Sequence, residues 1–185
     1  LQGSSAVILE TKQNIPIIFG TGTSSTERMR ILATGGLTFN GDTATANALD
    51  DYEEGSWTPV ITDSNEAATW SFNFNSANYT KVGRLVTLSA NCFSIGYSGT
   101  PSGYLQIRGL PFTKANGFLS SAPVKVSNIN FGADSYLTVE PVSFSATNYI
   151  YIRVSTNNNL GSDLQASSLS NGSASLLFSI TYEVA

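Results

Sequence analysis

Three features of the sequence predict an all-β protein. Apolar and polar residues alternate over long stretches, turn-forming Gly, Ser, Thr and Asn separate those stretches at short intervals, and only one segment has helical spacing. The clearest alternation is LVTLSANCF, which sets Val86, Leu88, Ala90 and Cys92 on one side and Thr87, Ser89 and Asn91 on the other. ASLLFSITYEV does the same with Leu176, Phe178, Ile180, Tyr182 and Val184, as strands with one buried face require. Further strands are expected at 57–62, 69–75, 103–108, 122–131, 135–144 and 148–155. About eight strands over residues 56–185 suit a jelly-roll-like β-sandwich head. Breaks of phase between Val126 and Ile129, and at Glu140 and Pro141, predict bulges or turns. SIGYSGTPSGY (94–104) and TNNNLGSDLQASSLSNGS (156–173) read as loops, and one as long as the second is expected to be functional or disordered.

Residues 1–55 form a different segment, a stem with its joint to the head. AVILET, IPIIFG, TERMRI and LTFNG are short β-like pieces broken by Gly20, Gly22, Gly35, Gly36 and Gly41. None can bury a face alone, and so short a region is marginal as a monomer, so identical chains winding together are expected to supply the missing faces. Asp42–Tyr52 has the spacing of a short helix capped by Asp42. Asp50, Asp51, Glu53 and Glu54 would crowd its negative end, which disfavours it.

The totals exclude several chemistries. With 12% charged and 41% hydrophobic residues the chain is a folded one, and a core of this size needs no disulfide. Cys92 has no partner cysteine, and the absence of His removes zinc and Ser-His-Asp chemistry. No cofactor or metal is expected. Residues 1–55 hold seven acids and three bases, whereas 56–185 hold six of each. No basic stripe exists for nucleic acid, and Ala6–Leu9 is too short an apolar run for membrane insertion. The chain does not begin with Met, and Leu1–Ser5 is expected to include a cut point or cloning scar in a longer protein.

The ordered series TERMRI, LTFNG, LDDYEEGSWTP, NYTKVGRLVTLSA and RGLPF resembles the distal part of bacteriophage tail fibre and tailspike proteins, especially those of phages infecting aquatic bacteria. The likeness runs from about Ser25 to Phe112. It implies a homotrimer whose slender intertwined stem, attached to the remainder of the phage tail, hands over to a β-rich tip that touches the host cell-surface polysaccharide. It also implies a virion component assembled in the bacterial host cytoplasm. Many such tips only bind, while some tailspikes also cut glycan; non-enzymatic binding is the expectation here, with a depolymerase whose acids are assembled between chains and a purely structural connector as the alternatives. No catalytic position carries over from the shared motifs.

The candidate residues follow from these expectations. The acids of DDYEEGSWTP lack the separation of a glycosidase pair and the spacing of a calcium loop, so Asp50, Asp51, Glu53 and Glu54 are assigned to a solvated joint, facing Arg28 or Arg30 of a neighbouring chain. In WSFNF, Trp70, Phe72 and Phe74 share one side and are assigned to core or subunit interface. In YIYIRV, inward Ile150, Ile152 and Val154 leave Tyr149, Tyr151 and Arg153 as an outer stripe, of the residue types enriched at binding surfaces. Tyr97 and Tyr104 flank a Gly-rich loop, and Asn157, Asn158, Asn159 and Asp163 offer oxygens and amides to a sugar. These nine residues are the receptor-binding candidates.

Overall fold

The structure, a computed structural model, describes residues 9–116, 120–131, 135–144, 147–156 and 159–184. Its regular elements are almost all strands, and the chain divides into two compact units, 1–52 and 53–185. The first unit holds a three-stranded antiparallel sheet of β1 (Ile17–Thr21), β2 (Thr26–Ile31) and β3 (Leu37–Phe39). Between Phe19 and Gly20 β2 spends two residues against one step of β1, which turns Glu27 toward the side of Arg30. The expected helix over 43–52 does not form. Asp42 instead binds the Ala44 amide and the Asn47 side chain at 2.8 and 2.7 Å, leaving a single 3-10 turn, Thr45–Asn47. Leu49 then pairs with Leu37, extended backbone that a helix would forbid.

Among the described residues of this unit only Leu32 and Thr38 are buried, while Ile15, Ile18, Phe19, Ile31, Phe39, Leu49 and Tyr52 are exposed. That is too little interior to order the segment through its own packing.

The second unit is one ten-stranded sheet that curls over on itself. Its strands are β4 (Tyr52–Ser56), β5 (Val60–Asp63), β6 (Ala68–Val82), β7 (Leu85–Gly99), β8 (Leu105–Arg108), β9 (Ala122–Ser127), β10 (Ser135–Phe144), β11 (Thr147–Thr156), β12 (Asn159–Asp163) and β13 (Ala174–Glu183). They lie in the order β4-β6-β7-β13-β9-β10-β11-β8-β5, with β12 on β11. β9 makes the corner: Val124–Ser127 pair with β13, while Ala122 and Pro123 pair with β10. The inner faces of the two halves meet in one core that includes Val86, Leu88, Cys92, Ile107, Val139, Ile150, Ile152, Leu176, Ile180 and Tyr182. Burying each of these aliphatic side chains contributes about 1.5–3 kcal/mol.

Several strands outrun the expectation because bulges reset their alternation. β7 carries an extra residue at Ser94, φ 51°, opposite both β6 and β13. Inward positions change from Leu88, Ala90 and Cys92 to Ile95 and Tyr97, so the strand continues through what reads as a loop. A second bulge lies in β6 between Phe74 and Ser76. Trp70 and Phe72 pack on the core as expected, whereas Phe74 stands 44% exposed. The stretch 156–173 is likewise not one loop, since it contains β12 and a 3-10 turn at Ala166–Ser168. The phase change after Val126 is a left-handed Asn128, φ 56°. No bulge occurs at Pro141: β10 and β11 pair without a shift from Ser135↔Thr156 to Phe144↔Thr147, and Pro141 keeps the buried phase of Leu137 and Val139. Proline is tolerated there because β9 pairs no further along β10 than Val139, so no ladder on that side needs its missing N–H.

The β5–β6 turn is tied by a buried carboxylate. Asp63 has no exposed surface and accepts from the amides of Asn65, Ala67 and Ala68 and from Trp70 Nε1, at 2.9 to 3.2 Å. Burial disfavours its charge, but the four donors outweigh it and hold the carboxyl below its ordinary range. Its contribution is therefore present above the unfolded value of about 3.9 and disappears as pH falls through the lower folded value. Asp63→Asn would set an amide nitrogen against N–H donors. It is expected to cost about 1–3 kcal/mol at neutral pH, with the gap in urea midpoint from the parent narrowing as pH falls below the unfolded value of about 3.9.

Candidate functional site

The outer face of strands β5, β8, β10, β11 and β12 gathers aromatic, amide and charged groups. Strand parity puts them there: Ile150 and Ile152 face the core with no exposed surface, so Tyr149, Tyr151 and Arg153 face outward. The register supplies their neighbours. Tyr151 lies opposite Gln106 on β8 and Glu140 on β10, Tyr149 opposite Arg108, and Arg153 opposite Asp163 on β12.

These neighbours form a connected network. Tyr149 and Tyr151 meet edge to face with ring centroids 4.8 Å apart, and Tyr104 meets Tyr151 in the same way at 6.2 Å. Gln106 Nε2 donates to Tyr151 Oη at 3.0 Å and its Oε1 accepts from Arg108 Nε at 3.0 Å, while Arg108 also pairs with Glu66. Arg153 donates to Asp163 through Nη1 at 2.8 Å and pairs with Glu140 through Nε at 3.2 Å. Glu140, Tyr151, Arg153 and Asp163 line a depression of about 230 Å3. Arg153 is raised above its ordinary value, first by the hydrogen bond to Asp163. Tyr149 is pushed up to about 12, first by burial and then by its hydrogen bond to Tyr151.

Six of the nine receptor candidates reach this face or its edge, but not all as side-chain partners. The rings of Tyr104 and Tyr149 each meet Tyr151, Arg153 meets Asp163, Tyr151 shares one depression with that pair, and Asn159 opens β12 through its backbone. Asn157 and Asn158 lie outside the described residues. Tyr97 is elsewhere: with β7 extended past Ser94 it packs on Trp70, centroids 5.3 Å apart, and its amide and carbonyl are bracketed by the Asn171 side chain at 2.7 and 2.8 Å. Glu140, Gln106, Arg108 and Glu66 are participants not foreseen in the sequence. The signal for Glu140 was available, because a hairpin folded between Phe144 and Thr147 sets it across from Tyr151.

A second cluster explains the acidic stretch and the motifs that follow it. Tyr79 of NYTKVGR donates to Glu53 at 2.6 Å, and a Cβ on Gly55 would lie 2.9 Å from the Tyr79 hydroxyl. The Tyr79 ring meets Phe112 of RGLPF edge-on at 5.2 Å, Lys81 Nζ stands 5.5 Å from the Phe112 ring, and buried Tyr182 donates to the Phe112 carbonyl. Gly109 of the same motif has φ 86°, and a Cβ there would meet the Thr58 carbonyl at 2.3 Å. In the first unit Arg28 donates to Thr21, and Arg30 is held by both oxygens of Glu27 in its own strand. Asp50 is exposed, Asp51 is half-buried, and Glu54 lines a depression of about 470 Å3 with Gly55, Asn78, Tyr79 and Thr80. No group of three or more His, Cys, Asp or Glu arranged for a metal ion occurs among the described residues.

A larger depression, about 540 Å3, lies over β7, β9 and β13, lined by Ser89, Pro123, Val124, Lys125, Leu177, Phe178 and Ser179. It offers one charged group, Lys125, and one ring, the buried Phe178, whereas the other face brings together three tyrosines and several paired charges, so the tyrosine face is the candidate site. Comparison of the chain with protein-family models, with curated proteins and with solved structures finds no match in any of the three.

The tyrosine network has a spectroscopic consequence. Tyr149, and Tyr182, also pushed up to about 12 by burial, are held neutral. The stability they contribute is present below about pH 10 and lost as pH rises toward 12. Absorbance titration of phenolate is expected to show a late class of tyrosines, and Tyr151→Phe should bring Tyr149 down while leaving Tyr182 late.

Proposed function

We propose that this chain is the trimeric receptor-binding tip of a phage tail fibre, and that it grips a host surface glycan, without cutting it, through the face built around Tyr104, Tyr149, Tyr151 and Arg153. The observation that carries the reading is the outer face itself. Tyr151, flanked by the rings of Tyr104 and Tyr149, lines a shallow depression whose other walls are the Arg153 guanidinium and the Glu140 and Asp163 carboxylates. Sugars present apolar ring faces edged by hydroxyls, and this combination of rings and fixed polar groups complements them.

Two further observations support the reading. The first unit has almost no interior and many exposed apolar side chains, as expected of a stem completed by identical chains. The carboxylates at the depression, Glu140 and Asp163, are both tied to Arg153, which leaves neither aimed as a proton donor at a glycosidic oxygen. Three copies would convert three weak sites into useful avidity, worth a factor of about 10² to 10⁴.

Light scattering is expected to give the mass of three chains, and labelled protein should decorate cells in a panel of aquatic bacteria. Tyr104→Ala with Tyr151→Ala should cut that decoration by about tenfold or more with the assembly intact. A single-chain mass with residues 17–39 folded, or undiminished decoration by the double variant, would overturn the reading. Release of reducing ends from a bound polysaccharide would transfer it to a depolymerase.

A further inference from the structure

Resting on the glycan reading, we infer that the site selects sugars free of carboxylate, phosphate and sulfate groups, and rejects anionic polysaccharide. The inference comes from how the two guanidiniums of the face are used. Arginine at an exposed sugar site would ordinarily favour uronate, sialate or phosphate, because its planar fork matches those anions. Here each fork is already engaged through Nε and one Nη. Arg153 is shared between Asp163, at 2.8 Å, and Glu140, at 3.2 Å, and Arg108 is shared between Gln106 and Glu66. Two guanidiniums against three carboxylates leave the face one charge negative.

The arrangement is built into the sheet. Asp163 stands directly across from Arg153 on β12, and Glu140 stands diagonal to it on β10, the two placements from which cross-strand ion pairs form. The Arg153 and Glu140 side chains remain about one third exposed, at 35% and 36%, and Asp163 16%, so a ligand in the depression would meet the carboxylates as well as the guanidinium. An anionic sugar would have to displace a carboxylate from Arg153 or lie beside it, and like charges brought together in a partly desolvated site are rejected. A neutral or amine-bearing sugar meets the carboxylate acceptors, the guanidinium edge and the Tyr151 ring with no such repulsion.

The test uses the full chain on a printed array of bacterial surface polysaccharides, half of them neutral or amine-bearing and half carrying uronate, sialate or phosphate. Binding is expected to be confined to the first half, with anionic members at least about tenfold weaker, and to change less than about twofold between low salt and about 0.5 M salt. Glu140→Gln with Asp163→Asn should free Arg153 and extend binding to anionic members. Glu140→Gln alone, which leaves the better-aligned Asp163 pair in place, should do so partially. An anionic polysaccharide bound as tightly as any neutral one, with that binding lost in Tyr151→Ala, would overturn the charge selection and leave the glycan site standing. No binding to any member would remove the glycan reading and this inference with it.

Discussion

The side-chain parity of β11 is the constraint on which both core and site depend. Ile150 and Ile152 have no exposed surface, and the same strand presents Tyr149, Tyr151 and Arg153 to the outside. A slip of one residue against β10 would drive Arg153 into the core, leaving a buried guanidinium without its carboxylates, at a cost of several kcal/mol. The unbroken pairing from Ser135↔Thr156 to Phe144↔Thr147 fixes that register, and the pairing of Ile150 with Ile107 on β8 fixes it again from the other side. A strand so determined can hold a polar constellation on its outer face rigidly, because the rotamers it carries are anchored by the burial of its alternate residues.

Several residues of the motifs from the acidic stretch to RGLPF meet in one cluster inside the second unit. Glu53, Gly55, Tyr79, Lys81, Phe112 and Tyr182 converge although they are spread over 130 residues of chain, from 53 to 182. Each spacing has a steric or hydrogen-bonding reason: Gly55 makes room for the Tyr79 hydroxyl, Glu53 accepts from it, and Gly109 lets the loop pass the Thr58 carbonyl. Tyr79 is accordingly raised above its ordinary value, first by the Glu53 hydrogen bond. The residues of this cluster serve packing, and only Arg108 of these motifs reaches the tyrosine face. For that reason the resemblance built on these motifs supports an expectation about architecture more directly than one about the receptor.

What the sequence made legible was governed by how local the physics is. Alternation in LVTLSANCF, ASLLFSITYEV and YIYIRV gave the strands and their faces, because a period of two needs no knowledge of the neighbour. Bulges defeat the same rule: the extra residues at Ser94 and after Phe74 are specified by the strand opposite, so the run of Gly and Ser in β7 reads as a loop with Tyr97 at its flank. Pro141 misled in the reverse sense, since nothing local says that β9 stops pairing at Val139. The site was half legible. The outward stripe followed from parity, but Gln106, Arg108 and Glu66 join it through pairings between segments some forty residues apart. Only topology brings those together.

The two outer faces of the curled sheet differ in chemistry, and the difference bears on how a fibre tip would be organised. Outward positions of β7 and β13 include Thr87, Ser89, Asn91, Ser175, Ser179 and Thr181, with Leu85 and Leu177 exposed among them, a Thr87–Thr181 hydroxyl contact at 2.7 Å and one ion pair, Arg84–Glu183, at the strand end. The opposite face carries the tyrosines and the guanidinium–carboxylate pairs. Small uncharged side chains cost little to desolvate and little entropy to fix, whereas paired charges are costly to strip of water. Of the two, the charged and aromatic face is therefore the one with more to gain from staying wet and meeting a hydrated ligand such as a glycan, whose hydroxyls can replace the water they displace. The hydroxyl face has less of that requirement, and the asymmetry is the physical ground for proposing ligand contact on the side where β11 turns Tyr151 outward.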